Sequence, residues 1–352
     1  MTAVRVLSFH AGYGCKHRGR CCSSGWPIEV DVPERTVIER AIDSGLLNVA
    51  RPGFQSRGSA GAGSSVLASS DGRCVFHDDH AHGGCRIHRA MGHAALPLAC
   101  RQFPRQSVRD LRGVSVTLSH YCPTASDLLV QYSGPTAILN DALAFPADAE
   151  YVGLTADDRL PPLLHPRLAM DWESWWLFEE LSVSLLSEVS VPLTRLRLAV
   201  EHARRWTVGN GPLAAHLRES FDLARTAAVD EARLSESRID ERIRDVLTAV
   251  PDDWREVATD AIASRDAGCG SSRAELEIVS RRYLAAHAFA NWAAYQGEGL
   301  RTWFRSVETA AALLHRTADP GRADLLLRHL ADSTALIDRW NEAEREPPIG
   351  SG

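Results

Sequence analysis

Seven cysteines, Cys15, Cys21, Cys22, Cys74, Cys85, Cys100 and Cys122, fall within the first third of the chain, and only Cys269 lies outside it. In order they read C-x5-C-C, then C-x10-C, then C-x14-C-R-x-F-P, then Y-C-P. A thiolate is a soft, anionic ligand that suits zinc, copper(I) and iron–sulfur clusters, and four of them complete a tetrahedral zinc site or a four-iron cluster. Seven exceed that need, so some are not ligands, or a second centre or a redox pair exists. Cys21 and Cys22 cannot point the same way on an extended backbone, where successive side chains alternate. They require a turn or serve different roles.

The spacing excludes the commonest templates. Zinc motifs pair ligands two to four residues apart, and no C-x2-C occurs. C-x3-C-x2-C, the usual mark of a radical S-adenosylmethionine enzyme, and ferredoxin runs are also missing. What is left is a soft-metal site whose metal the spacing leaves open. His77, His80, His82, His88 and His93 lie between or beside the cysteines, and imidazole is a ligand for zinc and iron. The first three read as polar loop residues, whereas His88, three residues after Cys85, has the better ligand context. Lys16, Arg18, Arg20, Arg73, Arg86, Arg101 and Arg105 sit beside or near cysteines. Cations there would lower thiol pKa values and offset a thiolate-rich centre, or else form a solvated basic surface.

The elements that must position these groups change character along the chain. Ile28, Val30 and Val32 alternate with acids as a half-buried strand does, and Pro33 opens a short helix ending near Gly45. Ser56 to Gly72 reads as a flexible loop, without the lysine or strand-to-helix context of a phosphate-binding loop. Cys74 to Phe76 and Cys85 to Ile87 read as extended pieces, and Ala90 to Ala95 as a helical turn. Val114, Val116 and Leu118 alternate with Ser115, Thr117 and Ser119, a strand that delivers His120, Tyr121 and Cys122 at its end. Beyond Ser126 the sequence turns rich in alanine, leucine and arginine with helical periodicity, including a tryptophan-rich helix through Trp172, Trp175 and Trp176 whose aromatics read as core. Asp319-Pro320-Gly321 turns into a last helix around Leu325 to Trp340, and His202, His287 and His315 read as packing residues within helices.

The expected fold is mainly α: a small mixed α/β cysteine-rich metal-binding domain over residues 1–126, an all-helical domain over 127–345 and a flexible tail over 346–352. With 352 residues, 45% hydrophobic and 24% charged, the chain can bury a core without disulfides, and a net charge of -6 gives no general attraction to nucleic acid or anionic membrane. No run approaches the roughly 18 apolar residues of a membrane span, and the N-terminal segment lacks a secretory apolar stretch. The expectation is therefore a cytoplasmic protein with neither nucleic acid nor membrane as partner. Thiols clustered in a reducing compartment are metal ligands or redox groups rather than structural disulfides.

The combination of C-x5-C-C, C-x10-C-x-I-H, A-C-R-x-F-P-R and a following C-P resembles the cysteine-cluster domain of YkgJ-type zinc- or iron-chelating proteins, and of the flagellin lysine N-methylases (FliB-like). TLSHYCPTASDLL, WESWWLFEELSVSLLSEVSVPLTRLRLAV and RRYLAAHAFANWAAYQGEGL are similar in layout to the methylase branch. The resemblance implies methyl transfer from S-adenosylmethionine to lysine side chains of a flagellin-like protein substrate, with the seven cysteines as the metal or iron–sulfur centre. A lysine must lose its proton before it attacks a sulfonium methyl group. No base is identified in the sequence, although His120 and Tyr121 lie next to Cys122, and no glycine fingerprint marks an S-adenosylmethionine site. The alternative is a non-catalytic zinc- or iron-binding module with a helical partner-docking domain.

Overall fold

The computed structural model describes residues 3–49, 52–56, 65–78, 84–188, 192–228, 234–263 and 273–342. Cys269, His80, His82 and the expected tail over 346–352 lie outside the described residues. Two compact units form, one from Gly14–Arg105 and Tyr121–Thr124, the other from Met1–Tyr13, Gln106–His120 and Ala125–Gly352. This division does not confirm a single cut after residue 126. Strands at Val4–Leu7 and Arg105–Asp110 pair with strands beyond residue 126, and that pairing draws the N-terminal segment and the stretch from Gln106 into the larger unit.

The smaller, cysteine-bearing unit is organised by helix α1 (Val32–Asp43). Asp31 accepts a hydrogen bond from the Glu34 backbone N–H at 2.7 Å while Glu34 accepts from that of Asp31 at 3.3 Å, a reciprocal cap, and Pro33 sits in the first turn. The helix buries Ile38 and Ala41 against Val30, Leu47, Leu67, Phe76, Ile87 and Leu96. Ser65–Leu67 is the middle strand of a three-stranded antiparallel sheet, between Glu29–Val30 and Phe54–Ser56. This corrects the expected loop from Ser56 to Gly72 at Ser65–Leu67, while residues 57–64 lie outside the described residues. The small polar composition there concealed Val66 and Leu67, whose burial holds the strand in place. Two short antiparallel pairs follow, Ser69–Ser70 with Arg73–Cys74 and His77–Asp78 with Gly84–Cys85. Arg86 and Ile87, expected to be extended, instead start the helix Arg86–Met91 immediately after Cys85.

The larger unit is mainly helical but carries a five-stranded sheet, which corrects the expectation of an all-helical domain. In chain order its strands are β1 (Val4–Leu7), β2 (Arg105–Asp110), β3 (Gly113–Leu118), β4 (Ile138–Asn140) and β5 (Gly153–Thr155), arranged β4-β1-β3-β2-β5. β1 runs parallel to β3, with Val4 opposite Val114 and Val6 opposite Val116. Every residue of β3 is buried, including its polar ones. Strands covered on both faces are usually apolar throughout, so Ser115 and Thr117 need partners. The Arg5 guanidinium donates to Ser115 at 3.3 Å, and Thr117 donates to the Ala286 carbonyl at 3.0 Å.

Helices α2 (Trp172–Glu188), α3 (Arg273–Ala288) and α4 (Leu300–Thr317) form the body. Of the three α2 tryptophans, Trp175 is core, Trp172 donates to Asp158 at 3.0 Å, and Trp176 lies under the Arg112 guanidinium. Phe178 packs edge-on against Trp303, ring centroids 4.8 Å apart. The expected last helix is three pieces: Pro320–Asp324 capped by Asp319, a π-helical stretch Leu325–Leu330, and Ser333–Glu342. Among the described residues no helix is long and apolar enough to cross a membrane.

Candidate functional site

All seven cysteines of the cluster belong to the smaller unit, and none forms a disulfide. Gly19, in the left-handed region at φ 69°, starts the tight turn Arg20–Cys22. That turn overcomes the alternation of an extended chain and brings the Cys21 and Cys22 sulfurs to 4.0 Å. The separation is far longer than the ~2.05 Å of a disulfide. It is close to the edge of a tetrahedron of thiolates around zinc, roughly 3.8 Å for bonds of about 2.3 Å. Cys85 is delivered by the hairpin strand Gly84–Cys85, Cys74 by Arg73–Cys74 and Cys100 by the short helix Leu98–Gln102.

The thiols act on one another. Hydrogen bonds to Cys21 and Cys85 keep the proton on Cys22, raising it, and burial adds to the effect. The same bonds favour the partner thiolates. Cys21 is lowered by its bond from Cys22 against the pull of burial, and Cys85 is lowered to about 7, first by Cys22, then by the Ile87 and His88 N–H groups and the charge of Arg89. Burial pushes Cys74 up to about 12 and Cys100 well above the ordinary range, with the charge of Cys85 adding to both. The exposed Cys15 is raised by the atoms crowding its sulfur and by Cys21, Cys122 and Cys85. Cys21, Cys22 and Cys85 thus act on one another, and their charges reach Cys74, Cys100 and Cys15.

Most of the nearby cations have other partners. Arg86 donates to the Asn48 carbonyl at 2.6 Å, Arg101 to Glu34 and the Leu96 carbonyl, and Arg105 to the Arg101 carbonyl. Arg20 stacks over Tyr121 at 4.8 Å. Arg89, which sequence reasoning passed over, is among the groups that depress Cys85. His88 lies between His17 and His93, with ring centroids 4.5 and 5.7 Å away, and the His17 ring nitrogen stands 4.0 Å from the Cys15 sulfur. His77 pairs with Cys85 across the hairpin. Among the described residues no three His, Cys, Asp or Glu side chains meet closely enough around one point to ligate an ion as they stand. The donor set still fits a soft metal in kind: free thiols, two of them biased towards thiolate, two of them at the edge length of a tetrahedral site.

A second constellation, in the larger unit, is absent from any motif in the sequence. His10 follows β1 and His120 follows β3, so both stand at the carboxyl ends of neighbouring parallel strands. Their Nε2 atoms are 3.2 Å apart, and both rings are fully buried. Asp324 accepts from the His120 backbone N–H at 2.5 Å, the His120 Nδ1 at 3.0 Å, the Tyr283 hydroxyl at 2.9 Å and the His287 Nε2 at 2.7 Å, with the Arg328 Nε 3.4 Å away. Ser119 bonds the His329 Nε2 at 2.7 Å. Since the His120 Nδ1–H donates to Asp324, its Nε2 accepts from the His10 Nε2–H, and the lone pair of His10 Nδ1 is left without a hydrogen-bond partner.

Burial pulls Asp324 up, but Arg328, His287 and the bond from His120 hold it well below the usual carboxylate range. Burial drives His287 and His329 down to about 4 and lowers His10 and His120 as well. The result is one carboxylate–guanidinium pair among neutral imidazoles. His287, expected as packing, is thus a polar contact of Asp324. The legible trace is spacing: Tyr283 and His287, and Asp324 and Arg328, each stand one helical turn apart.

Comparison with known proteins returns no match: no family model, no curated protein and no solved structure matches this chain.

Proposed function

We propose that the cysteine cluster is a soft-metal centre, an iron–sulfur cluster or alternatively zinc or iron, in a protein that methylates lysine side chains of a flagellin-like substrate from S-adenosylmethionine. The observation that carries the metal reading is that seven thiols, none in a disulfide, are drawn from separate segments of the chain into one unit, with two sulfurs 4.0 Å apart. Cys21, Cys22 and Cys85, which hydrogen-bond one another, are its first donors, and Cys74, Cys100, Cys15 and Cys122 supply the remaining ones. A bound metal would draw the protons off these thiols and act as a fixed charge within the unit. Methyl transfer rests on the resemblance of the cysteine motifs, and its chemistry requires a neutral amine in line with the sulfonium methyl group.

Two measurements test this. Anaerobically purified protein should contain iron with acid-labile sulfide, or zinc, and should add whole methyl increments to a flagellin substrate, by intact mass, when S-adenosylmethionine is supplied. Protein that holds metal but never methylates leaves the second reading, a non-catalytic metal-handling module with a helical partner-docking body. The openness of the cluster favours that reading, since Cys15 is exposed and Cys21, Cys22, Cys74, Cys85 and Cys100 are only partly buried. A centre in that setting would exchange its metal readily with a chelator.

A further inference from the structure

The larger unit contains a cleft that neither the thiols nor the buried histidines use. It encloses about 500 Å³ and is lined by Arg197, Glu201, Arg238, Arg301, Phe304 and Arg305. That volume lies within the roughly 300–1,000 Å³ of small-molecule sites. Arg197 and Glu201 stand one turn apart on the helix Pro192–Ala203, Arg301 and Arg305 one turn apart on α4, and Arg238 in the first turn of the helix Glu236–Ala249. Four guanidinium groups thus face a space that contains one carboxylate.

The existing hydrogen bonds show what the cleft favours. Arg301 grips Glu201 with two parallel bonds, Nε to Oε1 at 2.9 Å and a terminal nitrogen to Oε2 at 2.8 Å. Arg305, buried, donates to the Trp340 carbonyl, and Arg238 donates to Glu308 at 3.2 Å and Glu241 at 3.1 Å. Glu201 reports the local potential: partial burial pulls its carboxyl up, yet Arg301, Arg204 and Arg197 hold it below the ordinary range. The first turn of α4 carries no acidic residue and its cap supplies no side-chain acceptor. The positive end of an 18-residue helix is therefore not neutralised by its own sequence.

Besides Arg238, which Glu308 and Glu241 already hold, the cleft sets Arg197, Arg301 and Arg305 around the single carboxylate of Glu201. We propose that the cleft binds a small organic or inorganic polyanion carrying at least two carboxylate or phosphate groups. One anionic group displaces the Glu201 carboxylate from the planar fork of Arg301, and the other meets Arg197 and Arg305. Guanidinium forks pair with both carboxylate and phosphate in this way, so the two ligand classes share one recognition chemistry. Glu201 acts as a placeholder anion in the free protein. This inference is independent of the thiol centre.

Calorimetric titration of the full chain with pyrophosphate and, separately, with citrate distinguishes the two classes. One of them binds saturably with one site per chain. Arg197→Gln, a change on an exposed side chain, weakens that binding about tenfold, the worth of one charge-assisted contact. Glu201→Gln tightens it, because the competing carboxylate is gone. Absence of saturable binding by both anions would overturn the proposal. So would binding that is indifferent to Arg197→Gln, or that Glu201→Gln weakens, since a bracing lattice loses by that change and a placeholder does not.

Discussion

The cysteine cluster and the Asp324 network both gather reactive side chains, but they differ in how far the chain itself satisfies them. Asp324 accepts from His120, Tyr283 and His287, all buried, and lies beside the partly buried Arg328. Among the thiols, the Cys21 and Cys22 sulfurs stand 4.0 Å apart, Cys15 lies 4.0 Å from the His17 ring nitrogen, and most of the seven are only partly buried. A group that its own chain saturates has a structural job. Thiols that hydrogen-bond one another, as Cys22 does with Cys21 and Cys85, can exchange those bonds for a ligand from outside.

The comparison breaks most easily at Asp324. Asp324→Ala would orphan the buried donors of His120, Tyr283 and His287 and leave Arg328 without its counter-charge, at a cost of about 3–5 kcal/mol. Denaturant midpoints with an unchanged slope measure it, and a loss under about 1 kcal/mol would mean the network does not hold the larger unit together. The next largest effect is on pH. His287 and His329 titrate near 4 when folded against 6.5 ordinarily, so as pH falls the unfolded chain binds their protons first. Their contribution is complete above about pH 6.5 and declines towards about pH 4, by about 1.4 kcal/mol per pH unit for each. His10 and His120 shift in the same direction, whereas Asp324, depressed, keeps its contribution until still lower pH. His329→Gln should flatten this pH dependence, and an unchanged slope would count against a neutral buried His329.

Smaller effects sharpen the contrast. Ser119→Ala removes one buried bond to His329 and should cost about 1 kcal/mol by the same denaturation measurement. On the thiol side, Cys22→Ser in metal-free protein should change stability by less than about 1 kcal/mol, since the residue is only partly buried, while removing bound metal. A large loss of stability without metal would show that the thiols are packing groups after all.

What the sequence revealed follows the same division. The cysteines are rare, alike and local, so their gathering in one unit and the need for a turn at Cys21 and Cys22 could be read from spacing. The helix from Pro33, the strand ending at Leu118 and the core role of Trp175 also followed from local pattern. Ser65–Leu67 was hidden by surrounding glycines and serines. The five-stranded sheet was hidden because β1, β3 and β4 meet across more than a hundred residues, and composition changes at residue 126 without breaking that pairing. Asp324 bonds His120 from 204 positions away, and nothing in a single Asp beside Ala323 announces a partner so distant. Only tertiary packing determines which polar groups a buried carboxylate meets.

Elemental analysis of anaerobically purified protein tests the central claim most directly. The account predicts stoichiometric iron with acid-labile sulfide, or zinc, in the wild type, and its loss in both Cys22→Ser and Cys85→Ser. Folded wild-type protein free of metal, with all seven clustered thiols open to titration, would contradict it.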